Sequence, residues 1–91
     1  MAVTFDPRKN ATNIAERGLS FERVAELEWD TAMIAEDIRR DYGEPRLLVM
    51  ARLDGRLHAA VVTPRGEDLH VISFRKANKR EVKRYGKKDD E

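Results

Sequence analysis

Hydrophobic positions recur along this chain with two different periods. Near the N-terminus the spacing is helical: Ala11, Ile14 and Ala15 fall at i, i+3 and i+4, and Phe21, Val24 and Ala25 repeat it. Asp6-Pro7 supplies an N-cap followed by a proline at the first helical position, where its missing N–H costs nothing. Gly18 can end that helix in the left-handed conformation. The spacing predicts one helix over about 7–17 and a second, capped by Ser20, over about 20–28. Val3 to Phe5 reads as a short extended piece, and Ala32 to Ala35 could continue a helix or form a strand, with a strand into Ile38 favoured. Asp41 to Pro45 is a turn or loop, because Gly43 and Pro45 interrupt both periods.

From Arg46 onward the apolar runs have strand length: about 46–52, 57–63 and 69–75. Asp54-Gly55 joins the first two as a hairpin signal, and Pro64 to Asp68 forms a longer polar turn before the third. The last of these strands alternates His70, Ile72 and Phe74 on one face with Leu69, Val71 and Ser73 on the other. A final helix is expected over about 76–86, held to the sheet by Val82 and Tyr85 at i and i+3. The fold class is therefore α+β. Its N-terminal helices pack on one face of a three- to four-stranded antiparallel sheet, and a basic C-terminal helix closes a single domain over 1–91.

Composition narrows the function classes. The chain has 91 residues and no cysteine, so a modest apolar core must stabilise it without disulfides or a thiolate metal site. The segment MAVTFDPRKN has no apolar h-region or cleavage site, and no apolar run approaches membrane length. A soluble, cytoplasmic protein without membrane contact is expected. No Gly-rich phosphate loop, H-E-x-x-H or cysteine cluster is present, and His58 and His70 lack metal-ligand spacing, so no metal or cofactor is expected. His58 reads as a plain strand residue.

Charge adds the candidate chemistry. The formal net charge is only +1, yet residues 75–88 contain eight cations against one acid, Glu81. Such a block attracts a polyanion even when the whole molecule is nearly neutral. With a helix from residue 76, Lys76, Arg80, Arg84 and Lys88 form one i+4 row and Lys79, Lys83 and Lys87 a second. A solvated helix face is the bland alternative, but charge of nearly one sign repels itself and makes that role less economical. Arg46, Arg65 and Arg75 stand at strand ends or turns, where arginine forks can hold phosphate.

These pieces occur in an order that resembles a known family. Phe5-Asp6-Pro7-x-Lys9-x-x-x-Asn13, Gly18-Leu19-Ser20-Phe21-Glu22, Asp41-Tyr42-Gly43-Glu44-x-Arg46, Thr63-x-Arg65-Gly66 and Ile72-Ser73-x-Arg75-Lys76-Ala77 resemble BrnT-type toxins. The resemblance covers nearly the whole chain. It implies a RelE-like ribonuclease of a bacterial type II toxin–antitoxin system that cleaves RNA without metal and inhibits translation. The implied partners are RNA (mRNA, on or off the ribosome) and a BrnA-like ribbon-helix-helix antitoxin in a two-plus-two assembly, with operator DNA reached only through the antitoxin. Two departures stand out. The family often has Lys-His-Gly where this chain has Glu16-Arg17-Gly18, and often an arginine where this chain has His70.

Arg65 and Arg75 would hold the scissile phosphate during attack by the ribose 2′-OH, and Tyr85 or His70 would assist proton transfer, Tyr85 being otherwise a core anchor. Lys9, Arg17, Arg46, Lys76, Lys79, Arg80 and Lys83 would guide the RNA backbone. A basic nucleic-acid-binding module without catalysis is the alternative, and an interaction subunit meeting an acidic partner is a third.

Overall fold

The computed structural model describes residues 2–89, with side chains described as far as Gly86, so Lys87 and Lys88 of the basic rows lie outside the described side chains. Five strands form one mixed sheet in the order β1-β5-β4-β3-β2. They are β1 (Val3–Phe5), β2 (Met33–Glu36), β3 (Leu47–Leu53), β4 (Arg56–Arg65) and β5 (Asp68–Lys76), with α1 (Pro7–Arg17) after β1 and α2 (Lys79–Asp89) after β5. The sheet is larger than the three- to four-stranded antiparallel one expected. The short Val3–Phe5 piece pairs in parallel with β5, while all other pairs are antiparallel.

The local signals explain most boundaries. Asp6 accepts the Arg8 N–H at 2.8 Å, Pro7 opens α1, and Gly18 at φ 65° ends it by donating its N–H to the Ile14 carbonyl. Asp54 and Gly55 both take positive φ, the geometry of a tight two-residue hairpin. The second turn is shorter than expected. Pro64 and Arg65 remain in the ladder opposite Leu69 and Asp68, so only Gly66 and Glu67 turn the chain.

The second predicted helix forms as a 3-10 helix over Phe21–Glu26, capped by Ser20. An α-helical continuation would need the Glu28 N–H on the Val24 carbonyl. That N–H instead bonds Arg52 O at 2.9 Å, while Val24 O accepts from Leu27 N and from the Trp29 indole. Phe21, Val24 and Leu27 are buried, whereas Ala25 is exposed.

Helix α1 also departs from its pattern. It buries no residue, and the Ala11, Ile14, Ala15 stripe faces solvent. Asn10 and Asn13 face inward instead. Asn13 Nδ2 donates to the Leu19 and Phe74 carbonyls at 2.9 and 3.0 Å, and Asn10 Oδ1 accepts the Phe21 N–H at 2.8 Å. Strand β1 pairs only with residues 69–71 of β5, so the Phe74 carbonyl lies beyond it and takes its donor from Asn13. Satisfying those groups outweighs burying two alanines and one isoleucine.

The C-terminal helix starts later than 76. Lys76 still pairs with His58, and the Ala77 N–H extends the ladder to Leu57 O. Asn78 then caps α2 through reciprocal 2.9 Å bonds with Glu81, a capping box. Lys76 therefore belongs to a strand and drops out of the helical row. Tyr85 is buried at 2% exposure, but Val82 is 49% exposed and does not hold the helix down.

One bulge sets the faces of β5. Val61 pairs with Ser73 and Val62 with Val71, leaving Ile72 as the extra residue. Strict alternation would place Phe74 with His70, as the sequence suggested. The bulge instead puts Phe74 with Leu69 and Val71 in the main core, against Leu19, Phe21, Val24 and Leu27. Directly opposed antiparallel residues share a face, so His70, Ser73 and Arg75 all stand on the other side with Thr63, Val61 and Ala59.

Candidate functional site

That other side is the chemically distinctive surface. One end of it is covered by α2, where Tyr85 packs with Met50, Leu57, Ala59, Ala77 and Met33. The Tyr85 hydroxyl donates to the Thr31 carbonyl at 2.7 Å, and the Arg52 guanidinium lies 4.8 Å over its ring. This placement corrects Tyr85 as a proton-transfer candidate: its oxygen is spent on a main-chain bond inside the fold and does not face the open sheet.

Beyond Tyr85 the face is open. In register along β4 come Arg75 opposite Ala59, Ser73 opposite Val61, His70 opposite Thr63, and finally Arg65 itself. Four residues of β4 separate the Arg75 and His70 positions, about 13 Å, and six separate Arg75 from Arg65, about 20 Å. Arg65 and Arg75 thus occupy opposite ends of the face, with His70 and the exposed Ser73 between them.

At the Arg65 end, Glu44 gathers two guanidinium groups. Its carboxylate oxygens lie 3.5 Å from Arg65 Nη2 and 3.5 Å from Arg46 Nε. Arg46 also lies 4.0 Å over the Tyr42 ring, and its buried Nε has no well-directed hydrogen bond. Thr63 Oγ1 donates to Pro45 O and pins the loop to the strand. His70 Nδ1 shares a 2.8 Å bond with Thr4 Oγ1 of β1, fixing the ring. Partial burial, followed by the nearby Arg65 charge, pushes the imidazole below its ordinary pKa, with Lys9 adding to the effect. That shift favours the uncharged form of the ring.

At the other end Arg75 pairs with Glu81 in two-point fashion, at 2.7 and 3.0 Å. The pair raises the arginine's pKa and lowers the carboxyl's, in each case chiefly through those bonds. Arg39 is near enough to oppose the Arg75 charge. It is itself held by Asp37 at 2.8 Å, in the loop between β2 and β3.

The remaining candidate cations are divided. Lys9 lines an open groove of ≈ 320 Å³ with Arg8, Thr12, Asn13, Ile72 and Ser73, beside the bulge. Arg17 and Lys76 line a different groove with Arg56 and His58, where Lys76 opposes His58 and so lies on the helix-covered side. His58 is a buried strand residue, as expected, with Nδ1 2.7 Å from Arg56 O and its ring against Phe74. Lys79, Arg80 and Lys83 are exposed along α2. The sequence reading missed Thr4, Glu44, Ser73 and Glu81. Thr4 and Ser73 gain meaning only from strand pairing, but the Asn78-x-x-Glu81 spacing was a legible capping signal.

A small α+β protein with an open sheet face, arginines at its two ends and a histidine between them, is the class that the fold and this surface define. Residues 5–81 match the family model described as ribonuclease toxin, BrnT, of type II toxin–antitoxin system, and the chain belongs to that family. The family pairs an RNA substrate with an antitoxin partner. No curated protein matches the chain. No helix among the described residues is long and apolar enough to cross a membrane.

Proposed function

We propose that the open face binds single-stranded RNA and cleaves it without a metal ion, through attack of a ribose 2′-OH on the adjacent phosphate. The observation that carries this reading is the order Arg65, His70, Ser73, Arg75 on one face, created by the bulge at Ile72. His70 takes the 2′-OH proton as the O2′–P bond forms, and the P–O5′ bond breaks with its leaving oxygen protonated by water. Arg75 holds the scissile phosphate over Ser73 and offsets its growing charge. Arg65 and Arg46, drawn together by Glu44, take a neighbouring phosphate. Lys9 and the exposed cations Lys79, Arg80 and Lys83 guide the backbone on either side, and Arg17 with Lys76 contacts RNA that passes the end of β5.

In this reading the chain is one RelE-like toxin domain acting in the cytoplasm, where RNA cleavage inhibits translation. A BrnA-like ribbon-helix-helix antitoxin neutralises it in a two-plus-two assembly and alone brings operator DNA to the complex. The test is incubation of the purified protein with labelled mRNA, free and on ribosomes, in chelator. Cleavage to fragments ending in cyclic phosphate is the expected result. Binding that weakens with salt but yields no cleavage in either setting would instead support a non-catalytic nucleic-acid module.

A further inference from the structure

The Arg75 guanidinium has five N–H groups in a fixed plane. Nη1 donates to Glu81 Oε1 at 2.7 Å and, more weakly, to Lys76 O at 3.4 Å, while Nη2 donates to Glu81 Oε2 at 3.0 Å. Those bonds use three of the five protons. The two that remain, Nε–H and the second Nη2 proton, are adjacent and parallel. Together they form the side-on fork that matches two oxygens of a phosphate. Among the described residues nothing else bonds that edge, and the Arg75 side chain keeps 37% of its exposure.

Glu81 is equally constrained. Its Oε1 accepts the Asn78 N–H at 2.9 Å in the capping box, and its side chain is only 16% exposed. A carboxylate tied to the first turn of α2 cannot follow a wandering arginine. We infer that Glu81 is a positioning residue for RNA cleavage: anchored by the α2 cap, it grips the end of the Arg75 guanidinium and presents the Nε/Nη2 edge as a ready phosphate fork. The inference rests on the proposed ribonuclease reading and adds to it a residue that touches no substrate.

This role separates geometry from charge. Glu81→Gln keeps an oxygen for the Asn78 N–H, since glutamine also completes a capping box, but it loses the two-point grip on the guanidinium. It also removes a negative charge beside the RNA. Single-turnover cleavage of labelled mRNA by E81Q is therefore expected to slow about ten- to a hundredfold while KM stays level or falls. In the Arg75→Ala background the same change should do nothing more, because the group it positions is gone. Asn78→Ala serves as the structural control: it weakens the α2 cap yet leaves the ion pair, so its rate should hold at temperatures where circular dichroism shows a folded protein.

An unchanged E81Q rate would overturn the assignment. So would a further loss in the R75A background, or a slowing by Asn78→Ala equal to that of E81Q. Wild-type protein that leaves the mRNA intact, free and on ribosomes, would overturn the ribonuclease reading first and the Glu81 assignment with it.

Discussion

The two faces of the sheet are made by the same strands and have opposite chemistry. The helix-covered face collects Val49, Ala51, Leu53, Ala60, Val62, Val71 and Phe74 into a continuous core. On the open face, Tyr85 covers one end and the rest displays Ser73, His70, Arg65 and Arg75. Alternation alone produces such a division in β3 and β4, but it fails in β5. There one extra residue lets Phe74 join the core while its near neighbours Ser73 and Arg75 line up with His70. Packing and site geometry thus depend on a single inserted position.

Shifting the register past that position is the strongest way to break the comparison. An alanine inserted between Ser73 and Phe74 turns Phe74 out of the core and Arg75 toward it. Loss of a cooperative unfolding transition is expected, read by circular dichroism during a thermal melt. Deleting Ile72 itself keeps Leu69, Val71 and Phe74 on one face and His70, Ser73 and Arg75 on the other, so that variant should still fold. A folded insertion variant with intact RNA cleavage would mean that the register of β5 does not decide the faces.

Within the intact face, Arg75→Ala should lower cleavage by about a hundred- to a thousandfold, the scale for removing a donor to developing charge. Its melting temperature should fall little, because the ion pair with Glu81 is partly exposed. His70→Gln should cost about a hundredfold at pH 7. In the wild type, the acid limb of the cleavage profile should lie below the ordinary histidine value of about 6.5, because the folded pKa is lowered. The linked stability term has a definite sign. The unfolded chain takes up the proton first as pH falls, so the contribution is complete above 6.5 and is lost as pH falls through the folded value. H70Q should flatten both the limb and that term.

Tyr85→Phe tests the buried end of the same face. Loss of the bond to the Thr31 carbonyl should lower stability by about 1 kcal/mol in urea titrations. Cleavage by the folded variant should be nearly unchanged. A loss like that of R75A would return the tyrosine to the chemistry.

How far the sequence disclosed this arrangement depends on the range of the signal. Asp6-Pro7, Gly18, Asp54-Gly55 and the strand-length runs act through neighbouring residues, and the structure follows them. The α+β class, the α1 boundaries and the antiparallel core of the sheet were legible for that reason. Parallel pairing of β1 with β5 was not, because Thr4 and His70 meet only across 66 positions. Nor was the bulge: Ile72 looks like any apolar strand residue until β4 supplies its register. Arg75 was legible as a charge at a strand end. Its fork was not, because Asn78-x-x-Glu81 had first to be seen as a helix start.

The smallest effects concern α1, where apolar spacing and actual contacts disagree most plainly. Ile14 is 46% exposed, so Ile14→Ser removes little burial and should change stability by no more than about 0.5 kcal/mol. Asn13→Ala should cost more, about 1–2 kcal/mol, because two main-chain carbonyls lose their donor at once. Urea denaturation of the two variants side by side reads the order directly. If the isoleucine proves the costlier loss, α1 packs its apolar stripe inward in solution and the asparagine contacts are incidental. If the asparagine does, this helix serves the sheet as a hydrogen-bonding edge strip. Its apolar positions then contribute helix-forming tendency and little else to the fold.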